Sequence, residues 1–273
     1  MDPKLQRRIQ RYGWDAAARH YEAAWRENLA PAHHAMFDLV NLRPEESVLD
    51  VACGSGILTF RAAKIVGEDG AVTATDISEE MVRIVTDLAE QRGVPQVRAR
   101  RMDAESMTLP VASFDAALCA LGLMYMPNPV QALRKVFEVL KSGGRAVASV
   151  WGERRKCGWA DLFPIVDSVV QSEVCPLFFG LGTGSALAEA FEEAGFVSVR
   201  TQRLAATAHY SSQQDVLTAM IDGGAVALAA KRFDVATRQR VEEMLLASFA
   251  SYRHEDGSYA IPGEFVTAVG RKP

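Results

Sequence analysis

The chain has 273 residues, 49% hydrophobic and 23% charged, with a formal net charge of −4. That is the balance of a soluble globular protein with no excess of cations to neutralise a phosphate backbone, so nucleic acid is not the expected partner, and the length suits one large α/β domain. The longest nearly apolar run, Ala116 to Met126, is too short to span a bilayer, and the four cysteines form no C-x-x-C pair and no zinc spacing with histidine, so no bound metal is expected.

The opening Met1-Asp2-Pro3-Lys4 has no apolar core behind it, which predicts a cytoplasmic protein without a secretory leader. Residues 5 to about 28 have a helical period, with Trp14, Ala18, Tyr21 and Trp25 spaced by four, three and four, so one aromatic stripe faces inward. Pro31 is a favourable first residue for a second, short helix carrying His33, His34, Met36 and Phe37. These helices precede the first strand, so they lie outside the central sheet.

Residues 47–60, SVLDVACGSGILTF, then place a strand, a tight small-residue loop and a helix start within one short stretch. Glycines let the loop backbone approach a ligand, and the helix start offers unpaired N–H groups, so this turn is built to cradle a nucleotide-like molecule. A dinucleotide site wants G-x-G-x-x-G, and the third place here is Thr59. Asp50 stands four residues ahead of Gly54, at the strand end, where its carboxylate can reach a ligand cation.

A second strand, Ala71 to Asp76, ends on an acid twenty residues beyond Gly56. In a doubly wound sheet that puts Asp76 beside the glycine loop, where a carboxylate accepts both hydroxyls of a ribose. Ser78 caps the next helix, with Glu79 and Glu80 in its first turn and Met81, Ile84, Val85 and Leu88 on its buried face. Strand three, Val97 to Met102, ends on Asp103-Ala104, and the apolar run Phe114 to Cys119 reads as a central parallel strand leading into the loop Ala120 to Met126. Asn128 and Pro129 start a helix that Ser142-Gly143-Gly144 closes, and Arg145 to Trp151 is strand five. Residues 157–181 are helical and aromatic-rich, Ser185 to Ala194 is a helix, and Phe196 to Leu204 is another strand. Before the last strand, around Gly263 to Gly270, some 55 residues form an insertion with a stripe of Val241, Met244, Leu245, Phe249 and Tyr252, expected as a lid over the ligand edge. The expected fold is α/β, a doubly wound, mostly parallel seven-stranded sheet.

Asp50, Gly54 and Gly56, with Ala52 where a first glycine usually stands, resemble the first motif of the class I S-adenosylmethionine (SAM)-dependent methyltransferases. The stretch DAESMTLP from Asp103 resembles a further family motif. LRKVFEVLKSGGRAVASVW resembles the corresponding helix and strand of the ubiquinone/menaquinone C-methyltransferase-like group.

The resemblance covers residues 47–151 and implies a single Rossmann-like methyltransferase domain over 1–273: an N-terminal helical cover (1–44), a SAM-binding core (45–151) and a substrate-side half (152–273) with a helical insertion at about 208–258. It implies SAM as cofactor, held by Asp50, Ala52, Gly54, Gly56, Asp76, Ile77, Met81, Asp103, Ala104 and Leu121. It implies a small, partly apolar methyl acceptor in a pocket walled by Tyr21, Trp25, Tyr125 and Trp151.

Bringing acceptor and methyl into attack geometry in a dry cavity supplies on the order of 7–11 kcal/mol, so a dedicated base is optional. Tyr125 and His20 are the candidate catalytic residues, with His209 a further candidate. The competing readings are a nicotinamide-dependent oxidoreductase, which needs the missing third glycine, and a SAM-binding protein without turnover. Cys157 and Cys175 flank the aromatic segment, and soft thiolates also suit metalloid methylation.

Overall fold

The computed structural model describes residues 2–170 and 178–273. Its first element, α1 (Pro3–Val40), is one continuous helix and not two. Asp2 caps it by accepting the Lys4 N–H, and Asn41 ends it in the left-handed region at φ 48°. Pro31 lies inside it, where a proline costs about 3 kcal/mol. Leu29, Met36, Phe37 and Val40 are buried on either side. At about 1.5–3 kcal/mol for each such side chain, that burial outweighs the lost helix bond. His33 on the same stretch is buried, and desolvation first, then Arg61, lowers its pKa to about 4, so it is a neutral core histidine.

The chain then alternates: β1 (Ser47–Val51), α2 (Ile57–Val66), β2 (Ala71–Asp76), α3 (Glu79–Gln91), β3 (Val97–Arg101), β4 (Phe114–Ala120), α4 (Pro129–Val139) and β5 (Leu140–Trp151). Ser78 caps α3 by accepting the Met81 N–H, and Asn128 caps α4 by accepting from Gln131, with Pro129 as the first helical residue. Glycines 143 and 144 fall within the start of β5, because the chain pairs back onto β4 at Leu140 as soon as α4 ends. After α5 (Leu162–Val169) and α6 (Ala186–Glu193) comes β6 (Val197–Tyr210), longer than expected because it pairs along nearly all of the last strand, β7 (Tyr259–Arg271).

The sheet order is β3-β2-β1-β4-β5-β7-β6, with β1 to β5 parallel and β7 antiparallel to both neighbours. Two apolar clusters cover its faces, and α1 contributes to both: Trp25, Leu29 and Ala32 to one, Met36, Phe37 and Val40 to the other. Between β6 and β7 the insertion holds α7 (Gln213–Leu217), a wide turn at Thr218–Asp222, α8 (Ala227–Ala230) and α9 (Val235–Ser248). Val241, Leu245 and Phe249 are fully buried, as their spacing predicts. The insertion is tied to α1 by the Trp25 indole N–H, which donates to the Gly223 carbonyl at 2.9 Å.

Candidate active site

The carboxyl ends of β1, β2, β3 and β4 open onto a cleft of about 750 Å³. Its floor is the loop after β1, where Ala52 and Gly54 both stand at φ 54°. A Cβ on Gly54 would meet the Tyr21 ring at 3.4 Å, so that ring stands over the loop and the positive φ is what favours glycine there. Asp76, ending β2, accepts the Gly54 N–H at 2.9 Å on one oxygen and the Ser78 N–H at 2.8 Å on the other. Burial, opposed by these hydrogen bonds, raises its pKa to about 6. Asp103, after β3, accepts the Glu105 N–H at 3.0 Å, and its other oxygen lies 3.1 Å from the Arg7 guanidinium. Arg7 also pairs with the buried Glu105.

Of the residues expected at the cofactor, Ala52, Gly54, Asp76, Ile77, Met81, Asp103, Ala104 and Leu121 line this cleft. Asp50 and Gly56 do not. Asp50 is 1% exposed and turned inward, where it accepts the Thr59 hydroxyl at 2.6 Å. Burial raises its pKa to about 7, with the Asp76 charge adding to the effect. The residue that replaces a dinucleotide site's third glycine is thus spent on fastening α2 to β1. Gly56, at φ 86°, serves packing: a Cβ there would come within 3.0 Å of Phe60 and Val85. Sequence reading missed Arg7 and Gln10, which also line the cleft. Their signal was spacing, seven and four residues back from Trp14 on one helix face, hidden by their polarity.

A second chamber of about 480 Å³ adjoins the first, and the two share Trp14, Tyr21, Leu121 and Tyr125 as walls. Trp25, Trp151, Trp159, Phe163 and Phe178 continue it, and Met220, Gly224 and Ala225 of the insertion close it. The rings meet edge to face, Trp14 with Tyr125 at 5.1 Å and Trp151 with Trp159 at 4.8 Å between centroids. All four expected acceptor-pocket residues, Tyr21, Trp25, Tyr125 and Trp151, are therefore on this chamber. Burial, then the charges of Asp76 and Asp50, push the Tyr21 phenol well above its usual range, so it stays protonated.

His20 lines neither space, and its Nε2 accepts from Arg19. His209 is exposed on β6, with its amide bonded to Asn28. Cys157 is buried with its thiol pushed up to about 11, chiefly by desolvation, which disfavours a metal-binding thiolate. Cys175 lies outside the described residues. Among the described residues no cluster of His, Cys, Asp or Glu is arranged to hold a metal.

Ala52 has a partner across the cleft. A Cβ on Gly122, in the loop after β4, would fall 2.6 Å from the Ala52 Cβ and 3.0 Å from the Cys119 sulfur. The missing side chain at 122 makes room for the methyl at 52. Gly122→Ala is expected to lower the melting temperature by several degrees, about 2 kcal/mol of overpacking, and Ala52→Gly in the same chain to recover most of the loss. Equal melting of the single and double variants would dissociate the two positions.

The cleft fits SAM by its chemistry. A buried carboxylate between two loop amides suits a ribose diol, Asp103 suits an exocyclic amine, and Ile77, Met81, Met102 and Ala104 offer an apolar slot for a flat base. Asp76, buried on the cleft with a raised pKa, has no cation among the groups that shift it, and a sulfonium cofactor brings a positive charge into the same space. Fold and cleft together define a class I SAM-dependent methyltransferase, and the chain belongs to that family.

A methyltransferase-domain family model matches residues 48–144. Nocamycin O-methyltransferase of Saccharothrix syringae is 30% identical over 201 residues, spanning 68% of this chain and 72% of that one. A ubiquinone/menaquinone biosynthesis C-methyltransferase of Azotobacter vinelandii is 38% identical over 109 residues, or 40% of this chain and 43% of its own length. In fold, the chain is similar to a crystal structure of a Bacillus halodurans protein, with TM-score 0.61 and 20% identity over 89% of this chain and 99% of that one.

Proposed function

We propose that the chain transfers the methyl group of SAM to a small, partly apolar, ring-bearing molecule held in the aromatic chamber. The observation that carries this reading is the shared wall: Trp14, Tyr21, Leu121 and Tyr125 bound both the cofactor cleft and the second space, so the two ligands meet there. The relatives' names, nocamycin O-methyltransferase and ubiquinone/menaquinone biosynthesis C-methyltransferase, are in keeping with such a molecule.

In this reading Asp76 takes the ribose hydroxyls, Asp103 the adenine amine, and Gly54 and Ala52 leave their backbone open to the cofactor. When bound, SAM supplies an electrophilic methyl group. The chain's own contribution is placement and dryness: Trp14, Tyr21 and Tyr125 set the angle at which an acceptor approaches, and the ring walls exclude water. Tyr125, at the junction, is the residue proposed to orient the acceptor. His20, outside both spaces, is assigned no part. Asp50 supports the reaction at one remove, by fixing the loop through Thr59.

Calorimetry with SAM, S-adenosylhomocysteine and NADH tests the cofactor half, with micromolar binding of the two sulfur nucleosides and none of NADH as the expected result. Tighter binding of NADH overturns it. Release of S-adenosylhomocysteine across phenols, quinones, amines and thiols tests turnover; tight cofactor binding with no release from any of them favours a SAM-binding protein without catalysis.

A further inference from the structure

Asp15, on α1, lines neither space of the site, yet it is bonded to the residue that holds Asp76. One of its oxygens accepts the Ser78 hydroxyl at 2.6 Å and the Glu80 N–H at 3.2 Å. Ser78 is fully buried; its hydroxyl accepts the Met81 N–H at 3.2 Å, and its amide donates to Asp76 at 2.8 Å. A hydroxyl has one proton to give, and Asp15 takes it, which fixes the rotamer in which the oxygen caps α3. Asp15 is thus a second cap for α3, supplied from another helix, and it acts on Ser78, two residues past Asp76. Arg11 to Glu79 at 3.1 Å and Arg7 to Asp103 at 3.1 Å latch the same helix to the same rim.

We propose that Asp15 is a positioning residue for cofactor binding: through Ser78 it holds Asp76 in the orientation that receives the ribose, and so makes the docking of α1 and the occupancy of the cleft one event. The inference rests on the assignment of Asp76 to the ribose. The mechanism is preorganisation. Ser78 and Gly54 fix one oxygen each, and a carboxylate already fixed loses less freedom when a ligand arrives. Without Asp15 the Ser78 hydroxyl is free to turn, α3 keeps only part of its cap, and α1 loses a bond to the rim.

The charge of Asp15 also bears on Asp76. The titratable groups electrostatically linked to Asp76 are Asp15 and Tyr21 from α1, Asp50 from β1, Cys53 in the loop and Cys119 from β4. At the head of α3, Glu79 and Glu80 are occupied with Arg11 and Arg83. Of the linked groups, Asp15 can be made neutral while keeping its acceptor oxygen.

Two variants separate position from charge, read by calorimetric SAM binding between pH 5 and 8. Asp15→Ala removes the acceptor and is expected to weaken SAM roughly tenfold at pH 8. Asp15→Asn keeps an oxygen for Ser78 and Glu80, so it is expected to bind within about threefold of the parent at pH 8 while the midpoint of its pH dependence moves to lower pH. A merely structural contact would leave that midpoint in place. Asp15→Ala binding as tightly as the parent, or Asp15→Asn with an unmoved midpoint, overturns the proposal, and the second readout stands even if the alanine variant is insoluble. A parent protein that does not bind SAM would instead sink the ribose assignment, which is a different failure.

Discussion

Asp76→Ala is expected to raise the dissociation constant of SAM by at least 100-fold while the protein still folds. In the proposed function the carboxylate accepts two ribose hydroxyls, each such charge-assisted bond contributing about 1.5–3 kcal/mol, and its removal also strands the buried amides of Gly54 and Ser78. The same residue sets a pH dependence. Without ligand its pKa is raised to about 6, chiefly by burial, so below that pH it is a neutral carboxyl and a poorer acceptor. SAM affinity is therefore expected to rise as pH increases through about 6 and to level off above, with proton release on binding near the midpoint. Asp76→Asn should flatten the profile. In the ligand-free protein the sign is opposite: a carboxyl raised in the folded state adds stability below its unfolded value, near 3.9, and loses it as pH climbs through the folded one. Asp76 and Asp50, at about 6 and about 7, should make the free protein less stable at pH 8 than at pH 5, and SAM should narrow that gap by the part due to Asp76. An affinity that does not change between pH 5 and 8 would remove Asp76 from the ribose.

Ala225→Trp is expected to abolish methyl transfer, at least 100-fold in kcat/KM, and to leave SAM affinity within about threefold. Ala225 belongs to the insertion and, of the two spaces, borders only the aromatic chamber, so a bulky ring there fills the proposed acceptor space without touching the cofactor cleft. The two effects are cleanly separable because no residue of the insertion lines the first cavity. Transfer at the parent rate, measured by S-adenosylhomocysteine release from any acceptor found for the parent, would mean that the acceptor binds elsewhere.

The sheet was legible because parallel strands buried on both faces are written as short apolar runs, and because acids closing three of them share an edge whenever the crossovers are right-handed. Asp76 and Asp103 could be placed on that edge from register alone. Asp50 could not: its strand and offset suit a ligand contact, but whether such a carboxylate turns outward or inward depends on a neighbour nine residues on, and Thr59 draws it in. The unbroken α1 was hidden for a related reason. Pro31 is a strong local signal, and what overrides it is burial against two apolar clusters that exist only once the sheet is assembled. His20 sits one residue from Tyr21, yet one residue along a helix is a turn of about 100°, enough to put the imidazole outside the chamber that the phenol enters. The chamber itself is a meeting of α1, the loop after β4, the aromatic segment and the insertion, stretches up to about 200 residues apart in the chain.

Leu121 forms part of the partition between the two cavities, and it does so at φ 57°, a backbone state that disfavours a branched side chain by about 1–2 kcal/mol. Glycine or asparagine there would relax the backbone, at the loss of the side chain that stands between the two spaces. The partition thus comes at some cost in thermal robustness: a substitution that calms the backbone at this residue also removes part of the wall between the cleft and the proposed acceptor chamber.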